Sequence, residues 1–293
     1  MRIAVCVKQV LYTGGHFEID PGTGLACQKD TAPIFTVSRP DRGALEEALR
    51  LRGESGGEVI AITVGPPRAA EALYTCLAGG ADRGIHLLRD ESVNTDSCGT
   101  ALALSRAIAG LGCHLILCGT RSSDEGSSQI PPALAERLNL PQVTCVIKMD
   151  FDAGAGKVQV VRRLERGKRE VVECLLPAVI AVESAIREPR YISVRAHREA
   201  RQKKEIDVRP AFDGTNEESS LTRRVRLALP RPRPKKVEQM DAGMSASDRL
   251  KFIMGGGVVQ KEQKEGGPLT GPPEKMAGQI VEILRREGVI KLP

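Results

Sequence analysis

The sequence predicts an α/β fold built on a doubly wound, mainly parallel sheet. Short apolar runs of strand length alternate with helical patterns over the first half of the chain. The runs at residues 3–7 and 113–118 are apolar on both faces apart from His114, as strands buried in a parallel sheet are. The repeated order of strand and helix implies parallel strands joined by right-handed crossovers.

The individual elements follow from apolar spacing and from turn residues. In chain order we predict a strand at 3–7, a helix at 40–51, a strand at 58–64, a helix at 69–77, a strand at 85–88, a helix at 95–109 and a strand at 113–118. Leu45, Ala48 and Leu49 share one face of the first helix. Pro66 and Pro67 fit the first turn of the second helix, where no amide donor is needed.

The second half of the chain has a different pattern. Short β-rich runs between residues 158 and 182 predict antiparallel additions to the sheet. Residues 207–236 are rich in Pro, Arg and Ser, and residues 255–273 in Gly and Pro, which predicts extended arms. Apolar residues at helical spacing predict a last helix from residue 274 to about residue 287. We expect this helix to dock on another subunit; packing on its own domain is the alternative.

Composition narrows the class of protein. No apolar run approaches the roughly 18 to 20 residues that cross a membrane, and the chain opens directly with a strand, so we expect a cytoplasmic protein. Its eight cysteines form no Cys-x-x-Cys pair, which favours reduced core thiols over disulfides or a metal site. The net charge is +6, with a basic excess between residues 187 and 236. Aromatics are only 3% and there is no Trp, so a solvated or protein-docking surface is favoured over nucleic acid binding.

The segment at residues 115–143 is the strongest local signal for a ligand. An apolar strand leads into a polar loop and then into a helix, and Gly119 and Gly126 let the backbone turn tightly. Ser127 or Ser128 is expected to cap the helix that runs through residues 133–137. Unpaired amides at such a helix start favour an anion, although an ordinary capped turn has the same pattern. The loop is neither a Walker loop nor a Gly-x-Gly-x-x-Gly fingerprint.

Topology predicts where a ligand lies. In an open parallel sheet, ligands bind beyond the carboxyl ends of the strands, near the point where strand order reverses. The loops after Val7, Val37, Val64 and Cys118 should therefore converge. No combination of nucleophile, base and orienting acid stands out, so no catalytic residue and no metal ligand is assigned.

Five segments, taken in order, resemble the β-subunits of electron-transfer flavoproteins. They are VCVKQV with EIDPGTG, RPDRGALEEALRL, VGPPRAAEALYTCLAGGADRGIHL, the Gly119 loop with ERLNLPQVT, and LPAVIAVESAIREPRYISV. The resemblance covers roughly residues 1–205 and returns in the terminal helix. It implies the adenine-nucleotide α-hydrolase type of doubly wound fold and an electron carrier that forms a heterodimer with an FAD-bearing α-subunit.

The resemblance also implies a cofactor site. The residues it assigns are Val7, Ser38, Asp41, Val64, Cys118, Gly119, Arg121, Asp124, Gly126, Ser127, Ser128, Gln129 and Ile130. Arg121 stands one place from the arginine of the family pattern, so either it balances pyrophosphate charge or it is solvated. The pocket holds AMP in conventional members and a second FAD in members that bifurcate electrons from NADH. The apolar Ile130, the VKQV opening and the long arm favour FAD. Pro131 departs from the family pattern, and Asp41 is expected to cap the helix that begins at Pro40, with or without a ligand contact.

The resemblance divides the chain by role. Residues 1–186 are the nucleotide-binding α/β domain, 187–206 the partner-recognition loop and helix, 207–273 the basic arm, and 274–293 the docking helix. Within the second part, Arg190, Tyr191, Val194 and Arg195 are the expected contacts to an acyl-CoA-type or other dehydrogenase. NADH and a low-potential acceptor such as ferredoxin are further implied partners.

Two other classes of function stay open at this point. A nucleotide-hydrolysing or adenylating enzyme on this fold needs a glycine-rich loop after the first strand, where this chain has residues 8–12, KQVLY. The other class is a nonredox adenine-nucleotide-binding module similar to universal stress proteins. Such a module would have a shorter chain, and this hypothesis does not explain the arm and the terminal helix.

Overall fold

A computed structural model of the chain describes residues 1–12, 14, 17–20, 22, 26–28, 33–90, 95–152, 155–203, 205–212, 221, 222, 245, 247, 249 and 271–286. The chain divides into two compact units, Met1–Leu229 and Pro230–Pro293. The first contains the central sheet. The second contains one described helix.

The strands of the first unit are β1 (Arg2–Cys6), β2 (Gln9–Leu11), β3 (Phe17–Ile19), β4 (Ala26–Gln28), β5 (Phe35–Val37), β6 (Glu58–Gly65), β7 (Arg83–Leu88), β8 (Leu115–Gly119), β9 (Gln142–Asp152), β10 (Lys157–Arg163), β11 (Arg169–Leu175), β12 (Ala178–Val182) and β13 (Ile206–Pro210). Its helices are α1 (Arg39–Ser55), α2 (Ala70–Gly79), α3 (Ser97–Ala109), α4 (Ile130–Leu138) and α5 (Val194–Lys203). Short 3-10 turns occur at Pro67–Ala69 and Glu165–Gly167.

Within the described residues, the central sheet has the strand order β11-β10-β9-β12-β8-β1-β6-β7-β13. The strands from β9 to β13 along this order are mutually parallel, and β10 is antiparallel to both of its neighbours. Two small antiparallel sheets, β2 with β5 and β3 with β4, lie between β1 and α1 in the chain. The predicted α/β class with a doubly wound, mainly parallel sheet is confirmed.

Helices cover both faces of the sheet, because successive side chains of a strand point to opposite faces. Ile3 and Val5 of β1 belong to one buried cluster, which includes Leu45 of α1. Ala4 and Cys6 of the same strand belong to a second cluster, which includes residues of α3 and α4. A strand buried on both faces cannot alternate apolar and polar residues, which is why the run at residues 3–7 is continuously apolar.

The structure corrects the second half of the prediction. The runs at β10 and β11 are antiparallel, as expected, but the third run, β12, is a parallel strand inside the sheet between β8 and β9. All five residues of β12 are buried. The uniformly apolar composition of β12 is the pattern of a parallel strand buried inside a sheet, although the run is short. The strands β9 and β13 were missed.

The second unit contains α6 (Pro273–Arg286), the predicted terminal helix. Ile280, Val281 and Ile283 of this helix are 45%, 41% and 40% exposed. Docking of α6 on another subunit stays a prediction. None of the described helices combines the length and the apolar character that crossing a bilayer requires.

Candidate functional site

The sheet has a topological switch point beside β1. The chain leaves β1 for β6 and β7 on one side and returns to β8 on the other. The connections that follow β1 and β8 therefore diverge and leave a crevice at the carboxyl ends of these two strands. This crevice is the candidate site, and it is where the sequence predicted that the loops converge.

Asp41 joins the two strands that form the crevice. Its Oδ2 accepts a hydrogen bond from the Lys8 backbone N–H at 2.9 Å, and its Oδ1 accepts one from the Gly119 N–H at 3.0 Å. The side chain is buried, in the first turn of α1. The expected role of Asp41 as a helix cap is therefore wrong. Ser38 takes the cap position, and the carboxylate instead accepts from the amides at the ends of β1 and β8.

Burial makes the Asp41 carboxyl a weaker acid than an exposed aspartate. Removal from water raises the pKa of its carboxyl from 3.8 to about 7, while the hydrogen bonds from Lys8 and Gly119 and the charge of Lys8 oppose the rise. The crevice thus contains a carboxyl group that changes charge near neutral pH.

Two serines hold the loop after β8 against the start of α1. The Arg39 backbone N–H donates to Ser123 Oγ at 3.0 Å, and the Ser123 N–H donates to Ser38 Oγ at 3.3 Å. Ser38 is fully buried. The predicted cofactor residues do not include Ser123, because a contact between residues this far apart in the chain has no local sequence signal.

Lys8 supplies a positive charge that the sequence prediction missed. Its Nζ lies 3.0 Å from Asp124 Oδ2 and 3.1 Å from Glu125 Oε2. Burial raises the pKa of Asp124, but the Ser122 hydroxyl, Lys8 and the Glu125 amide outweigh burial and hold the pKa below its usual value. The Asp124 carboxyl therefore stays ionised at neutral pH, and its charge offsets that of the lysine.

The start of α4 differs from the prediction. The helix begins at Ile130 with Gln129 at the cap position, and no side chain caps it, so the expected capping by Ser127 or Ser128 is wrong. Gly126 and Ser128 have positive φ angles of 63° and 58°, which turn the loop away from a capping geometry. Because Pro131 and Pro132 lack an amide hydrogen, Ile130 is the one residue of the first three in α4 that has an N–H to offer.

The remaining predicted cofactor residues have distinct positions. Val7 is buried and donates its N–H to the Ile62 carbonyl at 2.8 Å, and Val64 is the second-last residue of β6. Cys118 is buried in β8; a hydrogen bond with Cys6 and burial raise the pKa of its thiol well above the usual value. Ile130 packs against the second core cluster. Arg121 is exposed on the loop after β8.

The predicted partner-recognition residues lie on and before α5. Tyr191 and Val194 are 88% and 74% exposed. Arg190 pairs with Glu46 of α1 at 2.8 Å, and Arg195 pairs with Glu199 at 2.9 Å. The two apolar side chains are therefore available at the surface, while both arginines already have carboxylate partners.

Asp96 connects the crevice with the C-terminal part of the first unit. One carboxylate oxygen caps α3 by accepting from the Cys98 and Gly99 amides at 3.0 Å. The other accepts from the Leu221 and Thr222 amides at 2.9 Å and from the Thr222 hydroxyl at 3.0 Å. The next residue, Ser97, lies with its Oγ 3.3 Å from that of Ser127. Residues 221 and 222 are thus anchored beside the loop that follows β8.

Replacing Asp96 by alanine should release residues 221 and 222 and remove the cap of α3. We expect a loss of about 1 to 2 kcal/mol in the free energy of unfolding, as for other helix caps. Hydrogen exchange at the Leu221 and Thr222 amides should accelerate. Asp96→Asn is the control, because its side-chain oxygen can keep the cap while its amide group cannot accept from Thr222. Unchanged exchange in the alanine variant would contradict this anchoring role.

Two buried hydroxyls border the crevice without a partner. Within the described residues, neither Thr120 Oγ1, directly after β8, nor Thr95 Oγ1, directly before Asp96, has a hydrogen-bond partner. Buried polar atoms are nearly always satisfied by protein, water or ligand. Their presence fits a polar ligand in this part of the molecule.

Comparison with known proteins agrees with this geometry. Residues 34–213 match the electron transfer flavoprotein domain. The electron transfer flavoprotein subunit beta of Thermoanaerobacterium thermosaccharolyticum is 36% identical over 214 residues, which is 73% of this chain and 80% of the relative. The caffeyl-CoA reductase-Etf complex subunit CarD of Acetobacterium woodii is 38% identical over 197 residues, 66% of this chain and 72% of the relative.

A third relative has a related name. The acryloyl-CoA reductase electron transfer subunit gamma of Anaerotignum propionicum is 34% identical over 202 residues, which cover 66% of this chain and 72% of the relative. The matched domain, residues 34–213, includes α1, β8 and the loop after β8. The chain belongs to the electron transfer flavoprotein family, among its β-subunits.

Proposed function

We propose that this chain pairs with an electron transfer flavoprotein α-subunit and holds an adenine-containing dinucleotide, FAD, in the crevice between β1 and β8. The heterodimer would carry electrons between a dehydrogenase, or NADH, and an acceptor. The observation that carries the proposal is the crevice itself, where Asp41 ties the ends of β1 and β8 together through the Lys8 and Gly119 amides. This arrangement preorganises the backbone that a nucleotide would contact.

Different residues line the two ends of the crevice. Val7, Ser38 and Val64 would face the adenosine, because Val7 follows β1, Ser38 precedes α1 and Val64 is the second-last residue of β6. Residues 124–130 would surround the phosphates with loop amides and serine hydroxyls. Lys8 would exchange one of its carboxylate partners for a phosphate oxygen, since its Nζ lies at the same loop. Bound flavin supplies the redox chemistry; the protein supplies position and electrostatics.

The charges and the hydrogen-bond donors in the loop after β8 support FAD over AMP as the bound nucleotide. The terminal phosphate of AMP carries up to two negative charges, and such a group needs several N–H donors or cations. Here Pro131 and Pro132 remove amides from the start of α4, and Asp124 and Glu125 offset Lys8. The phosphates of a dinucleotide carry one charge each, and an apolar Ile130 suits a chain that continues to a second ring system.

Electron bifurcation is part of the proposal. The VKQV opening is the sequence feature that supports it, and two of the relatives have names that include CoA reductases. We propose an acyl-CoA-type or other dehydrogenase as one partner and a low-potential acceptor such as ferredoxin as another. The helix α6 is proposed to dock on the α-subunit, because three of its large apolar side chains are at least 40% exposed.

Nucleotide content tests the proposal directly. The chain is purified together with its α-subunit, the nucleotides are released by acid and they are separated by chromatography. Two FAD per heterodimer is the expected result. One FAD with one AMP would overturn the FAD assignment and make the protein a conventional relay; a β-subunit without any nucleotide would overturn the site.

A matched pair of lysine variants tests the residue assignment. Lys8→Gln should lower nucleotide occupancy, because it removes the cation at the loop. Lys148→Gln removes an exposed lysine that also pairs with a carboxylate, at 2.8 Å from Asp150, but lies on β9, away from the crevice. Equal occupancy in the two variants would exclude Lys8 from the site.

A further inference from the structure

Two cysteines lie side by side at the base of the crevice. Cys6 is the last residue of β1, and Cys118 is the second-last residue of β8. The two strands are parallel neighbours in which Val5 pairs with Leu117, so the same register places Cys6 opposite Cys118. Cys118 is one of the predicted cofactor residues, but the proposed function gives neither thiol a chemical role.

The two thiol groups are in contact. Both side chains belong to the second buried cluster, on the face of the sheet that α3 and α4 cover. A hydrogen bond with Cys6 raises the pKa of the Cys118 thiol, which means that Cys118 keeps its proton and donates it to the Cys6 sulfur. Both cysteines are free thiols in the structure. Cys6 and Cys118 thus form a dithiol with neighbouring sulfurs.

The spacing of the strands suits a disulfide between these two positions. Neighbouring strands lie about 4.8 Å apart, and the Cα atoms that a disulfide joins are usually roughly 4.4 to 6.8 Å apart. Closure of the dithiol therefore needs a rotation of the side chains and a small shift of the strand ends. A metal ion fits less well, because the described part of the chain contains no group of three or more His, Cys, Asp or Glu side chains that could hold one.

The crevice is the nearest opening to the dithiol. Cys6 and Cys118 are only 7% and 3% exposed, and residues of α3 and α4 pack in the same cluster. Because β1 ends at Cys6 and β8 ends one residue after Cys118, the pair lies in the layer of the core next to the carboxyl edge of the sheet. A small oxidant can approach the sulfurs from that edge, whereas a nucleotide in the crevice would cover it.

We propose that Cys6 and Cys118 are a peroxide-reactive dithiol, which closes reversibly to a disulfide at the base of the crevice and which bound nucleotide shields. This proposal rests on the proposed function, since it takes the crevice to be the nucleotide site. The proposed function also supplies the oxidant, because a reduced flavin that transfers two electrons to dioxygen produces hydrogen peroxide.

The reaction has two steps and consumes one molecule of hydrogen peroxide. Cys6, the more exposed thiol, loses its proton and attacks a peroxide oxygen. The S–O bond forms, the O–O bond breaks, and the leaving hydroxide takes up a proton to give water and a sulfenic acid. The sulfur of Cys118 then attacks the Cys6 sulfur. The S–S bond forms, the S–O bond breaks, and the leaving hydroxide takes the Cys118 proton to give a second water. The two thiols lose two electrons and two protons in total, and a dithiol reductant reverses the change.

Treatment of the heterodimer with hydrogen peroxide tests the proposal. The remaining thiols are blocked with iodoacetamide, the protein is digested without reductant, and the peptides are identified by mass spectrometry. We expect a disulfide between the peptides that contain Cys6 and Cys118, which disappears when dithiothreitol is added before blocking. Added FAD at ten times its dissociation constant should slow formation of the disulfide about tenfold, because only the nucleotide-free fraction reacts.

Three variants assign the reaction to this pair. Cys6→Ala should abolish the disulfide and leave Cys118 available to iodoacetamide after unfolding. Cys118→Ala removes the other thiol and keeps the test valid if the first variant does not fold. Cys76→Ala is the matched control, because Cys76 is also buried, at 1% exposure, but lies in α2 within the other core cluster. This control should form the disulfide at the rate of wild type.

The outcomes separate the dithiol from the cofactor site. The dithiol proposal is overturned by three results: no disulfide at a peroxide concentration that oxidises the thiols of the urea-unfolded chain, a disulfide between other cysteines in place of this pair, or a rate that FAD does not change. Nucleotide content is measured on the same preparation before peroxide is added. Normal nucleotide content without the disulfide refutes the dithiol alone, whereas missing nucleotide refutes the proposed cofactor site.

Discussion

Replacing Gly119 by valine is expected to disrupt the crevice and to destabilise the fold by about 3 kcal/mol, the upper range for overpacking a core. A Cβ on Gly119 would lie 2.4 Å from Asp41 Oδ1, 2.7 Å from Pro40 Cβ and 3.1 Å from the Asp41 N. These atoms belong to the start of α1, so they cannot move aside as the end of a long side chain can. Either α1 shifts or Asp41 loses its hydrogen bonds to the ends of β1 and β8.

Urea denaturation and nucleotide content measure the two consequences of Gly119→Val. Gly53→Ala is the matched control, because no atom lies within 4 Å of the position its Cβ would take. Gly53 lies inside α1, where alanine is the better helix former, so this control should gain about 0.5 to 1 kcal/mol. A valine variant as stable as wild type, with full nucleotide, would show that the close approach of α1 to β8 is not required.

Changing Asp41 to asparagine is expected to remove a large pH dependence of stability. The native carboxyl has a pKa of about 7, raised by burial from 3.8. Between about pH 4 and pH 7 the native state therefore holds a proton that the unfolded chain has released. The stability linked to this group is fully present below about pH 4 and is lost as the pH rises through about 7, up to roughly 4 kcal/mol in total. Asparagine does not titrate and should not show this loss.

Urea denaturation of wild type and Asp41→Asn at pH 5, 6, 7 and 8 provides the measurement. The free energy of unfolding of wild type, taken relative to the variant, should decrease as the pH rises. The variant keeps the size of the side chain but replaces one acceptor oxygen by an amide group, so it loses one of the two hydrogen bonds from Lys8 and Gly119 at every pH. The comparison therefore uses the change of the free energy of unfolding with pH, not its absolute value. Parallel pH profiles for the two proteins would show that Asp41 does not gain a proton on folding in this range.

Many of the helices and strands can be predicted from local sequence, because the apolar residues on the buried face of each element recur at a fixed spacing. The helix α1 and the strands β1, β6 and β8 were predicted within a few residues, since apolar spacing and flanking Pro or Gly mark them. The placement of β12 was not readable. Its uniformly apolar composition indicates a strand buried on both faces, but composition does not say which strands lie beside it, and only the pairing with β8 and β9 decides that.

The candidate site shows the same division. Glycines and serines after β8 indicated a ligand loop, because backbone turns and hydroxyl groups have local residue requirements. The role of Asp41 was misread as a cap, since its true partners, Lys8 and Gly119, are 33 and 78 residues away. Lys8 was missed because its partners, Asp124 and Glu125, are 116 and 117 residues away.

The sequence by itself determined the class of sheet, the family resemblance and the loop that borders the site, because each depends on short segments with their own periodicity or motif. Tertiary structure decided which groups meet. It placed Asp41 between two strand ends, paired Lys8 with the loop after β8 and anchored Thr222 on Asp96. Hydrogen bonds and charges act through space, so contacts between distant segments exist only once the sheet has brought them together.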